Sequence, residues 1–433
     1  MSPTLIGVLG ILLMLLLLVA SLPVAFAMGI VGVVGFAAII RVPSALAMLA
    51  TNLYGSLTDY NLTVIPMFVF MGQVCFHAGI SRRLFNAAYH WMGWLPGGLA
   101  MATVGACAAF GAICGSGPAT AATMSAVALP EMRRFNYSDA LASGVVASGG
   151  GLGMLIPPSV VFIVYGVLTE QSIGKLFIAG ILPGLLVALL FCLVVLVQCL
   201  RDPRRGPAGP RFPLRERLDS LKGVTETLAL FALVMGGMFA GWFTPTEGAA
   251  IGAAGSVVVA AIVGKCNLRM IWRAAQETIR TSCMVMIIIA GATIFSRFLA
   301  VTELPNTLAA WLAALPLPTW MVLGLIMVFY LIAGCFVDAL ALIMLTVPIF
   351  YPVVLQLGYE PIWFGVMIVL VTMIGAITPP VGVNVYVVSG MERNLPLQTV
   401  FRGSMPFLGA LIAAAILLML IPGLATWLPG LVQ

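Results

Sequence analysis

The chain has 433 residues, 62% hydrophobic and only 8% charged, whereas a soluble domain carries roughly 25% charged residues to face water. That deficit excludes an ordinary soluble enzyme or binding module and leaves lipid as the solvent for most of the surface. The net charge of +6 does not point to nucleic acid, because the 20 basic residues gather in short polar connectors, where the positive-inside rule puts them.

In chain order, no Lys or Arg precedes Arg41 and further apolar segments follow, so the first segment reads as a retained helix rather than a signal peptide. The apolar runs predict helices at about 4–21, 24–41 and 62–79. Arg82-Arg83 and Arg133-Arg134 flank the next apolar stretch, which is expected to enter and leave on one side as a hairpin over about 96–130. Helices at about 139–168 and 177–200 complete a first unit, 1–200. The most basic segment follows, with Arg201, Arg204, Arg205, Arg211, Arg215, Arg217 and Lys222, and 201–222 reads as a cytoplasmic connector. The remaining 223–433 forms a second unit with its own hairpin at about 318–352.

Proline reveals the relation between the units, since its cost inside a helix makes each position meaningful. Pro23, Pro96, Pro130, Pro157 and Pro158 recur 222 residues later as Pro245, Pro318, Pro352, Pro379 and Pro380. Five prolines in one register mark an internal repeat. Equivalent connectors differ in charge. Lys265, Arg269, Arg273 and Arg280 match a stretch around 43–58 without basic residues, and Arg82-Arg83 has an uncharged counterpart. The copies are therefore expected to be inverted, each with about five crossings and one re-entrant hairpin, and Arg393 and Arg402 fall inside. Lys175 and Arg297 fit this scheme less well.

Interrupted helices in inverted repeats point to a binding site near the midplane. Four segments qualify. They are Gly111–Thr120, Ser148–Ser159, Gly334–Asp338 and Gly375–Asn384, each with Gly or Pro in apolar surroundings. Carbonyls freed there, with the hydroxyls of Ser116, Thr120 and Thr378, suit a hard cation such as Na⁺, and half-helix N-termini attract a carboxylate. Asp338 is the one acid between Ile332 and Pro348, a functional candidate by depth that also suits a helix cap. Thr244-Pro245-Thr246-Glu247, aligned with Ser21-Leu22-Pro23-Val24, reads as a structural cap at a turn. Asn384 is equally a substrate contact or a packing residue. The eight cysteines lack metal spacing and mostly sit in apolar runs, and His77 and His90 read as interfacial. No serine triad, HExxH or phosphate loop occurs, so neither hydrolysis nor ATP drive is indicated.

The runs GAICGSGPATAATM (111–124), GGGLGMLIPPSVVFIVYG (149–166), KLFIAGILPGLL (175–186), FTPTEGAAIGA (243–253) and GAITPPVGVNVYV (375–387) resemble the large membrane subunit of TRAP, the tripartite ATP-independent periplasmic transporters. The resemblance spans nearly the whole chain. It implies an all-α polytopic protein of the elevator type in a bacterial or archaeal inner membrane, importing an organic acid with Na⁺. A periplasmic binding protein would deliver the substrate, and a separate small membrane subunit of about four helices would scaffold the chain. It further implies Na⁺ at Gly115, Ser116, Thr120, Gly153 and Ile156 in one half and at Gly334, Asp338, Gly375 and Thr378 in the other. Substrate would lie between the tips, near Ser116, Gly117, Ser159, Asp338 and Asn384. Two departures stand out: Gly117-Pro118 where many members have serine, and Gln73 where many carry an acid. The alternatives are a stand-alone inverted-repeat anion symporter or antiporter, a polytopic membrane enzyme, and a channel.

Overall fold

The computed structural model describes residues 2–20, 22–222, 224–314, 317–392 and 395–431. Helix is the only regular structure among them, as expected where the backbone must satisfy its own polar groups in lipid. The first half comprises α1 (Pro3–Val19), α2 (Val24–Ile39), α3 (Val42–Thr58), α4 (Val64–His77), α5 (Ile80–Met92), α6 (Gly98–Cys114), α7 (Gly117–Arg134), α8 (Asp139–Gly150), α9 (Leu152–Leu155), α10 (Val160–Thr169) and α11 (Ile173–Arg201). After the connector helix α12 (Leu214–Lys222) come α13 (Thr225–Phe239), α14 (Pro245–Ile262), α15 (Leu268–Thr302), α16 (Leu304–Ala314), α17 (Thr319–Gly334), α18 (Ala339–Gln356), α19 (Pro361–Gly375), α20 (Val383–Met391), α21 (Leu397–Leu420) and α22 (Gly423–Leu431). Among the described residues, six stretches, counting α8–α10 as one, are long and apolar enough to cross a bilayer, or up to eight if the bent pairs α4–α5 and α12–α13 each count as one span.

The 222-residue offset runs through these bounds. Shifted by 222, α7 becomes 339–356, the bounds of α18, and α10 becomes 382–391, within one residue of α20. The α3–α4 pair departs from this correspondence. Asp59 accepts the Asn61 N–H at 2.9 Å and caps a 3₁₀ turn over Tyr60–Thr63 that separates α3 from α4. No such break interrupts α15, which runs 35 residues through the matching positions. Ile288 there replaces Pro66.

Two expectations need correction. Residues 42–58 are a helix rather than an uncharged connector, and Arg82-Arg83 lie on α5, while the basic connector itself includes α12. α5 is amphipathic: Ile80, Leu84, Phe85 and Ala87 are buried on one side while Arg82 is exposed. Polar or small residues broke the apolar runs of these helices: Thr51, Asn52, Gly55, Ser56 and Thr58 in α3, Arg82 and Arg83 in α5, and alternating charges in α12. Ser21 and Arg393 lie outside the described residues. Thr244 and Glu247 do form a capping box at the start of α14.

The helices pack as two bodies. In one, α15 lies along α2 and α4, with α1, α3, α13 and α14 completing the layer. Its core includes Phe295 and Phe298. The other gathers α6–α11 with α17–α22, and α8 runs along both α7 and α21. Several buried polar groups there find partners, although Ser148 Oγ, Gln198 Nε2 and Asn384 Oδ1 do not. The Tyr165 hydroxyl donates to the Pro361 carbonyl at 2.6 Å, and the Trp363 indole N–H donates to the Leu418 carbonyl at 2.9 Å. The repeat equivalents α5 and α16 bridge the bodies: each leaves a helix of the first body and lies on a hairpin arm of the second, α5 on α6 and α16 on α18. Leu16, Leu189 and Leu420 are exposed on the outer surface, an apolar face suited to lipid.

Candidate functional site

Each half builds a helical hairpin whose tip is held against a broken helix. In the first, α6 stops at Gly115, whose φ of +66° is a left-handed conformation that side chains rarely adopt. Ser116 is extended, and Gly117-Pro118 open α7, with proline at a position where no N–H is needed. The Ser116 hydroxyl makes no capping bond, and its carbonyl accepts the Thr120 hydroxyl at 2.8 Å. In the second, α17 stops at Gly334 and Asp338 caps α18, accepting the Leu340 N–H at 3.1 Å.

The breaks follow from proline chemistry. Pro157 and Pro158 have no N–H to give the carbonyls of Gly153 and Met154 four residues back. The Ser159 hydroxyl donates to Met154 at 2.6 Å, while Gly153 faces the tip. A methyl added at Gly153 would stand 2.6 Å from Thr120 Oγ1 and 2.9 Å from the Ser116 carbonyl oxygen. The Val160 N–H donates to the Gly115 carbonyl at 3.2 Å, tying tip to break. The second half repeats this. Pro379 and Pro380 follow α19, the Gly382 N–H donates to the Cys335 carbonyl at 3.3 Å, and Gly375 packs directly on Gly334. Thr378 donates its hydroxyl to Ile374 at 2.7 Å.

Between the tips lies a cavity of about 290 Å³. The hairpin body contributes Gly115, Ser116, Gly117, Pro118, Asp338, Ala339 and Leu340, with Met154, Val160 and Val161 from the first break. The other body contributes Val69, Gly72 and Gln73 from α4 and Thr281, Met284 and Val285 from α15. Gly117 and Ala339, the first residues of α7 and α18, are repeat equivalents. Two half-helix N-termini therefore turn their positive dipole ends to one space, α7 without a side-chain cap and α18 with its Leu340 N–H taken by Asp338. None of the lining residues is basic. The arrangement can bind a carboxylate through backbone donors and a hard cation through carbonyl, hydroxyl and carboxylate oxygens.

The structure thus gathers most of the expected residues. Gly115, Ser116, Gly117 and Asp338 line the cavity, and Thr120 and Gly153 meet directly behind the first tip. Ile156 lies at the first break, Thr378 follows the end of α19, and Gly334 and Gly375 meet behind the second tip. Ser159 and Asn384 are not among the lining residues. Ser159 is consumed by Met154. Asn384 is fully buried and donates its amide to the Ala147 carbonyl at 3.1 Å, joining α20 to α8 across the halves. Thr281 and the α15 wall escaped the sequence reading, because Thr281 lies among Thr278, Arg280 and Ser282 on a helix with no Gly or Pro break to single it out. Gln73 was visible only as a departure from the family pattern.

A family model described as "Tripartite ATP-independent periplasmic transporter, DctM component" matches residues 11–424. The chain is 39% identical over 389 residues to the Pseudomonas aeruginosa "C4-dicarboxylate TRAP transporter large permease protein DctM", covering 90% of each. It is 33% identical over 416 residues to the Oleidesulfovibrio alaskensis "Isethionate TRAP transporter permease protein DctMQ", covering 96% of this chain and 65% of that protein. Among solved structures, the Alcanivorax borkumensis YdaH transporter superposes with a TM-score of 0.66 at 17% identity, covering 99% of this chain and all of that one. At that identity the likeness speaks for the fold alone.

Proposed function

The chain belongs to the DctM component family of tripartite ATP-independent periplasmic transporters, a multi-pass membrane transport component and not an enzyme, and we propose that it imports an organic acid across the inner membrane with Na⁺. The cavity carries this reading. It offers two helix N-termini to an anion but no basic side chain, and it already holds the carboxylate of Asp338. A carboxylate substrate beside Asp338 needs positive charge from elsewhere. Co-bound Na⁺ supplies it, held by Gly115, Ser116, Thr120, Gly153 and Ile156 on one side and by Gly334, Asp338, Gly375 and Thr378 on the other. Substrate contacts come from Ser116, Gly117 and Asp338 at the tips.

The two-body packing supports an elevator. The hairpin body carries most of the cavity, and the other body supplies only the α4 and α15 wall. Sliding the first against the second would move bound substrate and ions together, with α5 and α16 as the flexing links. A periplasmic binding protein delivers the substrate, and a separate small membrane subunit of about four helices braces the fixed body.

The test is uptake into proteoliposomes containing this chain and its small subunit. A labelled C4-dicarboxylate is the first probe, given the relative at 39% identity. Uptake should require both an inward Na⁺ gradient and the binding protein. Uptake on Na⁺ alone would move the chain to the stand-alone carriers, and indifference to Na⁺ would remove ion coupling.

A further inference from the structure

A second cavity, of about 410 Å³, opens far from the hairpin tips, where α8 begins, α11 ends and α21 begins. Arg204, Arg205 and Arg402 line it, with Gln198, Asp202 and Thr399 beside them. Asp202 neutralises one of the three arginines, meeting Arg205 Nε at 3.2 Å. Arg204 and Arg402 form no ion pair among the described residues. The Gln198 Nε2 amide is buried and has no hydrogen-bond acceptor, a donor whose desolvation is uncompensated without a ligand.

The floor of this cavity is built rather than loose. The Ser138 N–H donates to the Arg205 carbonyl at 3.0 Å, and the Gly97 N–H to the Gly206 carbonyl at 2.9 Å. The Tyr137 hydroxyl donates to the Pro207 carbonyl at 3.0 Å. The connector is thus strapped to the hairpin body, fixing the backbone beneath Arg204 and Arg205 opposite Arg402 on α21. All three helices that meet here belong to stretches long and apolar enough to span a bilayer, so the cavity sits at a membrane edge.

We infer that this cavity binds a phosphate group, that of an anionic phospholipid headgroup, between Arg204 and Arg402 with Gln198 donating from below. Guanidinium groups match phosphate oxygens in pairs, and basic pockets between spanning helices at a bilayer edge select anionic headgroups. A zwitterionic headgroup would bring its own ammonium into the same arginines and gain less. The site belongs to the hairpin body, so an occupied headgroup would tether that body to one leaflet. The inference does not rest on the transport reading, because it concerns lipid binding alone.

The test is native mass spectrometry of the full-length chain, purified in neutral detergent and titrated with phosphatidylglycerol, phosphatidylcholine or inorganic phosphate. Phosphatidylglycerol should bind about tenfold more tightly than phosphatidylcholine, and Arg204→Gln with Arg402→Gln should abolish that preference. Arg269→Gln, in the other body, should leave it intact and so control for loss of general surface charge. A preference unchanged in the double variant would overturn the site. Binding of inorganic phosphate as tight as that of phosphatidylglycerol would overturn the lipid as its occupant.

Discussion

Asp338 caps α18 through the Leu340 N–H and also lines the cavity, and substitution separates the two roles. Asparagine caps a helix about as well as aspartate. Asp338→Asn should therefore leave the thermal midpoint nearly unchanged while Na⁺-driven uptake falls at least about tenfold, since the proposed carboxylate ligand to the ion is lost. Asp338→Ala should lose roughly a further 1 kcal/mol of stability with the cap. Wild-type uptake in the asparagine variant would leave Asp338 a cap and nothing more. This residue was legible because an acid stands out in an apolar run. Ser116 and Gly117 were legible through the helix break they create. Asn384 was only half legible: its amide could serve a ligand or a neighbouring carbonyl, and only the fold shows that Ala147 takes it.

Among the elements, the contact between each tip and its broken helix depends on absent side chains. Gly153→Ala would drive a methyl to 2.6 Å from Thr120 Oγ1. Overpacking of this kind costs about 1–3 kcal/mol, so the midpoint of unfolding should drop and uptake should fall with it. Gly236 on α13 has nothing within 4 Å of an added methyl, and Gly236→Ala should instead hold or raise stability through helix propensity. Equal losses in both variants would mean that glycine serves flexibility rather than close approach. The helix bounds pair at the same 222-residue offset as the prolines, because proline and glycine act locally and leave a mark in sequence. α5 and α12 were missed because their helical faces mix charge with apolar residues, and α3 because Thr51, Asn52, Gly55, Ser56 and Thr58 interrupt its apolar run. That α15 is continuous while α3 and α4 are separate could be read only afterwards, from Asp59 and Pro66.

At the scale of the whole molecule, the two bodies meet where α4 faces the first hairpin. A methyl added at Gly72 would lie 3.1 Å from the Cα of Cys114 and 3.3 Å from the Ile113 carbonyl oxygen, so a cysteine there lies beside Cys114 once the backbone gives by a few tenths of an ångström. In a background with the other seven cysteines replaced, Gly72→Cys should cross-link to Cys114 on oxidation, stop uptake, and recover on reduction. Uptake that continued under a complete cross-link would sink the elevator reading. The division into bodies was invisible in the sequence, since it depends on which apolar faces pair, and apolar faces in lipid look alike.

A cavity walled without basic side chains but holding Asp338 also has a voltage sense. While that carboxyl is ionised, the unloaded hairpin body carries one negative charge across part of the membrane. Moving a full charge through 100 mV is worth about 2.3 kcal/mol. On the proposed Na⁺-coupled elevator, the field of a cell with a negative interior would push the empty site outward, toward its next cargo, and Na⁺ loading would cancel that push before the inward stroke. The resting potential would thus reset the carrier, a role separate from the Na⁺ gradient that fills it.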